Sequence, residues 1–298
     1  MNPTIDSHHH FWNIERFEYP WLQPKLGVLY RNYLPDDLRP HLERSGVQKT
    51  IVVQAQPKTA LEETCWLLEL ADKEDFIAGV VGWMDLTESH VDQFLDMFAS
   101  RPNLVGIRQL ADADADADWQ LRDDTLHGLE AVARHDLTYD LLLRPPQIMQ
   151  VPVIAQRVPE LKMVIDHVAK PPIKRGRQEE WLEGMKAAAA LPNVYCKLSG
   201  LITEADWKHW KPEDLKPYVE KVVELFGFDR LMFGSDWPIC LLAGSYERTH
   251  EALVEALDAF SDSERAKVFG ETAMEFYGVD LTTEIEEVPA AEGALGEP

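Results

Sequence analysis

The sequence predicts an α/β chain folded as a single (β/α)8 TIM barrel, and three observations predict it. Eight short apolar, β-rich runs recur at intervals of about 25 to 45 residues. Amphipathic stretches of helical period separate them. Polar residues follow the runs, where a barrel gathers its strand ends into one mouth. An open, doubly wound sheet shares the alternation but gives no reason for those polar residues to converge.

The runs begin near Ile5, Thr50, Ala78, Val105, Thr138, Met163, Val194 and Leu231. Their cores are nearly continuous, as in Ile51-Val52-Val53, Leu141-Leu142-Leu143, Met163-Val164-Ile165 and Leu231-Met232-Phe233. Strands of a parallel sheet covered by helices are buried on both faces, so they read this way rather than alternating. Between them, Pro35-Asp36-Asp37 opens a helix that runs towards Ser45 and stops at Gly46. Leu61–Lys73 is the next, with Leu67, Leu68 and Ala71 inward. Glu88–Ser100 follows, with Val91, Phe94, Leu95 and Phe98 at helical spacing. Further helices are expected over Asp124–His135, Pro146–Gln156, Glu179–Ala190, Pro212–Phe226, Ser245–Phe260 and Asp262–Phe269.

The barrel is expected to take residues 1–280 of the 298, leaving 281–298 as an acidic tail rich in Glu, Ala, Gly and Pro. The alternating Asp-Ala run from Asp112 to Asp118 reads as a solvated loop after the fourth strand; it lacks the glycine turn of a calcium loop. A net charge of −23, from 52 acids against 29 bases, argues against nucleic acid or an anionic membrane as partner. There is no apolar run of membrane-spanning length and no basic-then-apolar leader, which points to the cytoplasm. Cys65, Cys196 and Cys240 are scattered and odd in number, so no disulfide framework is expected.

Six stretches carry chemistry. In Thr4–Trp12, extended backbone puts Asp6, His8 and His10 on one face and Ser7 and His9 on the other. Two imidazoles on one face can grip a divalent ion such as zinc. His167 ends the apolar strand Met163–Ile165, where barrel enzymes hold their reactive groups. Asp236 in Gly234-Ser235-Asp236-Trp237-Pro238 ends the eighth strand, placed to act as metal ligand, as general base, or as both. Arg108 and Lys197 end the fourth and seventh strands and offer positive charge to a carboxylate or an oxyanion, and Lys197 reads equally as a charge that neutralises nearby acids. Gln54 and Gln56 follow the second strand.

Six motifs in order, Ile5–Trp12, Tyr19–Leu22, Gly106–Arg108, Asp166–Pro171, Lys197–Gly200 and Gly234–Pro238, resemble the amidohydrolase superfamily, specifically its sugar-lactone hydrolase branch. The resemblance covers the chain to about Gly278. It implies a distorted barrel that hydrolyses an aldonolactone, such as an L-fucono- or L-rhamnono-lactone, to the open-chain acid. It implies one divalent metal, zinc the expected one, on His8, His10, His167 and Asp236, although members of the branch differ in whether they need a metal. A binuclear site is not expected, for want of a fourth-strand Lys and a fifth-strand His. Asp236 would be the general base, with His167 and Arg108 catalytic beside it. Arg108, Lys197, Gln54, Gln56 and the aromatic faces of Trp12, Trp83 and Trp237 would hold the substrate, each of these aromatics reading equally as core packing. Relatives often carry His after the fourth-strand Arg, where this chain has Gln109. The partner is then a small sugar lactone, with a homo-oligomer allowed. Two rivals stand: a metal-dependent decarboxylase of the same superfamily, and a non-catalytic sugar-acid-binding barrel.

Overall fold

A computed structural model describes residues 4–98, 100–110, 118–176 and 178–280. The acidic run, Asp118 excepted, and the tail from 281 lie outside the described residues. Eight parallel strands pair in sequence order into a nearly closed barrel. They are β1 (Ile5–His9), β2 (Lys49–Val53), β3 (Ile77–Gly82), β4 (Leu104–Leu110), β5 (Thr138–Leu142), β6 (Met163–Ile165), β7 (Val194–Leu198) and β8 (Leu231–Phe233). The outer helices are α1 (Pro35–Ser45), α2 (Ala60–Ala71), α3 (Val91–Met97), α4 (Asp123–Arg134), α5 (Val151–Arg157), α6 (Glu179–Ala189), α7 (Leu201–Glu204), α8 (Pro212–Phe226), α9 (Tyr246–Ala256), α10 (Asp262–Ala266) and α11 (Thr272–Tyr277). None of them is long and apolar enough to cross a membrane.

The seam between β8 and β1 is closed by the chain that carries the site. Ser7 Oγ donates to the Phe233 carbonyl at 2.6 Å, and the Ser235 amide donates to Asp6 Oδ1 at 2.9 Å. One step further, the Asp236 amide donates to the His8 carbonyl at 2.8 Å and the His10 amide to the Trp237 carbonyl at 2.7 Å. Asp6 thus braces the seam rather than facing a ligand.

Inside the barrel, Ile5, Ile51, Val81, Val105, Val164 and Met232 form an apolar cluster closed by Ala273, Phe276 and Tyr277 of α11. Ile5 and Val105 stand at or next to the starts of their strands, so α11 covers the end opposite the mouth. That last helix was not expected. It follows α10 through a π turn, Lys267–Glu271, and supplies the plug. The expected helix over Pro146–Gln156 divides into a 3-10 turn, Pro145–Gln150, and α5. In α3, Val91 and Leu95 are buried but Phe94 is 37% exposed, so the apolar face of this short helix is narrower than its spacing suggested.

Candidate active site

His8 sits within β1 and His10 just beyond it, on the same face as extended backbone requires. His9 points the other way, onto Thr50 Oγ1 at 2.8 Å. His167 follows β6 and Asp236 follows β8. Both have left-handed backbone, at φ 53° and 54°, and the left-handed run continues through Val168, Ala169 and Lys170. Such a conformation costs about 1–2 kcal/mol per non-glycine residue. Buried bonds offset it: the Trp181 indole donates to the Val168 carbonyl at 2.8 Å, and Ser199 Oγ lies 2.9 Å from His167 Nδ1.

The three imidazoles converge on one carboxylate oxygen. Asp236 Oδ1 lies 4.0, 3.5 and 3.9 Å from the Nε2 atoms of His8, His10 and His167. His8 Nε2 and His10 Nε2 are 3.3 Å apart. Ligand atoms around a tetrahedral zinc, at 2.0–2.1 Å from the ion, stand about 3.3 Å from one another. His8, His10 and Asp236 lie close enough together to hold one divalent ion, and His8, Asp166 and His167 form a second such group. The orientation fits too. His10 Nδ1 donates to the Val53 carbonyl at 2.7 Å, which leaves the Nε2 lone pair facing Asp236. His8 Nδ1 faces Asp166 Oδ1 at 3.2 Å. Burial keeps the imidazoles neutral, as ligands must be: it lowers His10 to about 3, His167 to about 4, and His8 well below the ordinary value. Burial also raises the Asp236 carboxyl.

Beneath these groups lies a buried charge network. Arg108 Nη1 donates to Asp166 Oδ2 at 3.1 Å and Nη2 to the Gln54 carbonyl at 2.5 Å. Lys197 Nζ pairs with Asp140, lies 3.1 Å from Asp166 Oδ1, and touches His8 Nδ1 at the same distance. Tyr277 of α11 donates to Asp140 Oδ2 at 2.9 Å. Burial opposes ionisation of Asp166, but His8, Lys197 and Arg108 together hold it well below the usual carboxylate range. Asp140 is raised to about 6 by burial, against the pull of Lys197.

Two glycines are required by close approach. A Cβ on Gly234 would stand 2.7 Å from His8 Cβ, and one on Gly200, at φ +62°, 2.8 Å from His167 Cβ. Gly234→Ala should therefore shift His8 on its strand. We expect a loss on the order of a hundredfold in kcat/KM and weaker metal retention, measured by steady-state kinetics and metal analysis after dialysis.

The mouth opens as a pocket of about 680 Å³ whose walls include His10, Arg108, His167 and Asp236. Of the other expected substrate contacts, Gln56 lines it. Gln54 and Lys197 do not: both are fully buried, Gln54 donating to the Arg108 carbonyl at 3.1 Å and Lys197 held in the charge network. Trp83 stands outside the pocket walls, and Trp12 and Trp237 are packed into the core, each within about 5 Å of Tyr33. The aromatic surface comes instead from Trp21 and Trp207. Asp140, Asp166 and Tyr277 were not singled out from the sequence. Asp166 had a signal, its place next to His167; Tyr277 had none.

The amidohydrolase family model matches residues 5–279. The chain is 42% identical over 285 residues to an L-fucono-1,5-lactonase of Burkholderia ambifaria, covering 94% of this chain and 97% of that enzyme. It is 37% identical over 287 residues to an L-fucono-1,5-lactonase of Burkholderia multivorans, covering 92% and 96%. A crystal structure of an amidohydrolase from Burkholderia multivorans with bound zinc superposes with a TM-score of 0.88 at 35% identity, covering 93% of this chain and 100% of that one.

Proposed function

The chain belongs to the amidohydrolase family, and on that premise we propose that it hydrolyses a sugar lactone, of the L-fucono-1,5-lactone type, to the open-chain acid. The observation that carries this reading is the convergence of three neutral imidazoles and Asp236 at the base of an aromatic-walled pocket. The high identity to two lactonases over nearly the whole chain supports it.

His8, His10, His167 and Asp236 would hold one divalent ion, zinc by the donor set, and such an ion lowers the pKa of a water beside it. Asp236 presents Oδ1 to the imidazoles, which leaves Oδ2 to take the proton of the attacking water. Arg108 holds its guanidinium at the pocket wall, braced by Asp166 and the Gln54 carbonyl, where it stabilises charge developing on the lactone carbonyl oxygen. Asp236 then returns the proton to the ring oxygen as the C–O bond breaks. Trp21 and Trp207 offer faces to the sugar ring, and Gln56 and Thr203 offer polar groups to its hydroxyls.

The test is a pH-indicator screen of aldonolactones on chelator-treated and zinc-supplied protein. Acid release from L-fucono-1,5-lactone is expected, reduced about a hundredfold by chelation and restored by zinc. No acid release from any lactone, with or without zinc, would sink the reading.

A further inference from the structure

Beside the catalytic pocket lies a second chamber of about 690 Å³ that shares Lys170, Thr203, Glu204 and Trp207 with it. Four of its wall residues are cations, Arg144, Lys170, Lys174 and Arg175, against two acids, Glu180 and Glu204. That balance is the reverse of the whole chain, whose net charge is −23. Glu204 stands between the two chambers. Burial raises its carboxyl, and the charges of Lys170, Arg144 and Arg175 pull it the other way, so three of the cations act on the dividing wall. Lys170 acts on the catalytic side too, on both Asp236 and His167.

The cations are carried on fixed backbone. The Lys174 amide donates to the Glu204 carbonyl at 3.2 Å, and the Arg175 and Gly176 amides both donate to the Pro172 carbonyl, at 3.0 and 2.9 Å. Lys174 also meets Asp206, at 3.5 Å and with both side chains well exposed, a surface pair of the kind that exchanges readily for another anion. An acidic protein repels anions at long range, so a pocket of opposite sign beside its site concentrates them locally.

We propose that this chamber is an anion subsite that receives the carboxylate of a small sugar acid. The carboxylate has two sources: the ring-opened product of the neighbouring pocket, or an acidic substituent on the substrate itself. The binding rests on the chamber alone; the two sources rest on the lactonase reading.

The deciding experiment is an equilibrium titration of zinc-stripped protein with sodium L-fuconate, followed by tryptophan fluorescence, since Trp207 is 48% exposed between the chambers. Stripping the metal leaves Arg108 as the inner pocket's cation, which the wild type and both variants share. Saturable binding that weakens with added salt is expected, with Kd at least about tenfold higher in the double variant Lys174→Ala, Arg175→Ala and near wild-type in Lys174→Arg, Arg175→Lys. Both residues are exposed, so the fold is expected to tolerate either change. Equal affinity in the wild type and the alanine variant, or no binding at all, overturns the proposal. Because this titration needs no turnover, its failure is distinct from failure of the lactonase reading. Two kinetic arms assign the source. L-Fuconate inhibition lost in the alanine variant, with the KM of a neutral lactone unchanged, assigns the product. A kcat/KM advantage of glucarolactone over gluconolactone, lost in that variant, assigns the substituent.

Discussion

Asp236→Asn should leave the barrel folded and lower kcat on the lactone by about 10²–10⁴-fold, the usual contribution of a positioned general base. The substitution is a clean one for this site. Asn is among the few side chains that tolerate left-handed backbone, and Asp236 has φ 54°. Its carboxyl is raised by burial against the pull of Lys170 and Arg108, so ionising it costs more here than in water, and a neutral amide avoids that cost. The thermal midpoint of the metal-free variant should therefore equal or exceed that of the metal-free wild type. Kinetics at saturating lactone, a melting curve and metal analysis decide the matter together. Near-normal turnover with the metal retained would remove Asp236 from the role of base.

The barrel was legible because its strands are buried on both faces. Each expected strand start falls within one residue of the observed one, as Thr138, Met163, Val194 and Leu231 show. A buried parallel strand announces itself as a short apolar block, and Pro212–Phe226, with Pro at its start and an amphipathic face, was equally plain. α11 was missed because Ala273, Phe276 and Tyr277 face the barrel interior rather than a neighbouring helix. Periodicity reports that a face is apolar, not what covers it.

The candidate site was legible for a different reason. Reactive side chains of a barrel stand at strand C-termini, so His8, His10, His167, Arg108 and Asp236 could be chosen as candidates by position. The same rule misplaced Lys197 and Gln54, because it gives the end of the strand and not the depth. Lys197 is the fourth residue of the five in β7, one step short of the rim, and its ammonium group turns inward to Asp140 and Asp166. Trp21 and Trp207 lie on loops, where no period fixes the direction of a side chain. Tyr277 arrives from the opposite end of the barrel, and only the closed fold brings it to Asp140.

Lys197→Met carries the largest expected stability effect, about 3–5 kcal/mol, for it removes the cation that two fully buried carboxylates share. Methionine fills much of the same volume, so the loss reports charge rather than a cavity. Asp140 is already raised to about 6 by burial with Lys197 present, and without the ammonium it would take up a proton more readily still. Asp166 would keep Arg108 as its remaining cationic partner, at 3.1 Å. The double variant Lys197→Met, Asp140→Asn should then recover a large part of the loss, because a neutral amide can still accept from Tyr277 and no unpaired carboxylate remains at that position. Urea unfolding of the wild type, both single variants and the double variant closes the cycle, and a coupling energy above about 1 kcal/mol is expected for groups in direct contact. Additive single effects would mean that the pair does not act as a unit. The consequence reaches the candidate metal site, since Lys197 and Asp166 together surround His8 Nδ1. On the proposed reading the network orients that ring for a divalent ion, so Lys197→Met loaded with zinc should release it to a chelator faster than the wild type, even in the fraction that remains folded.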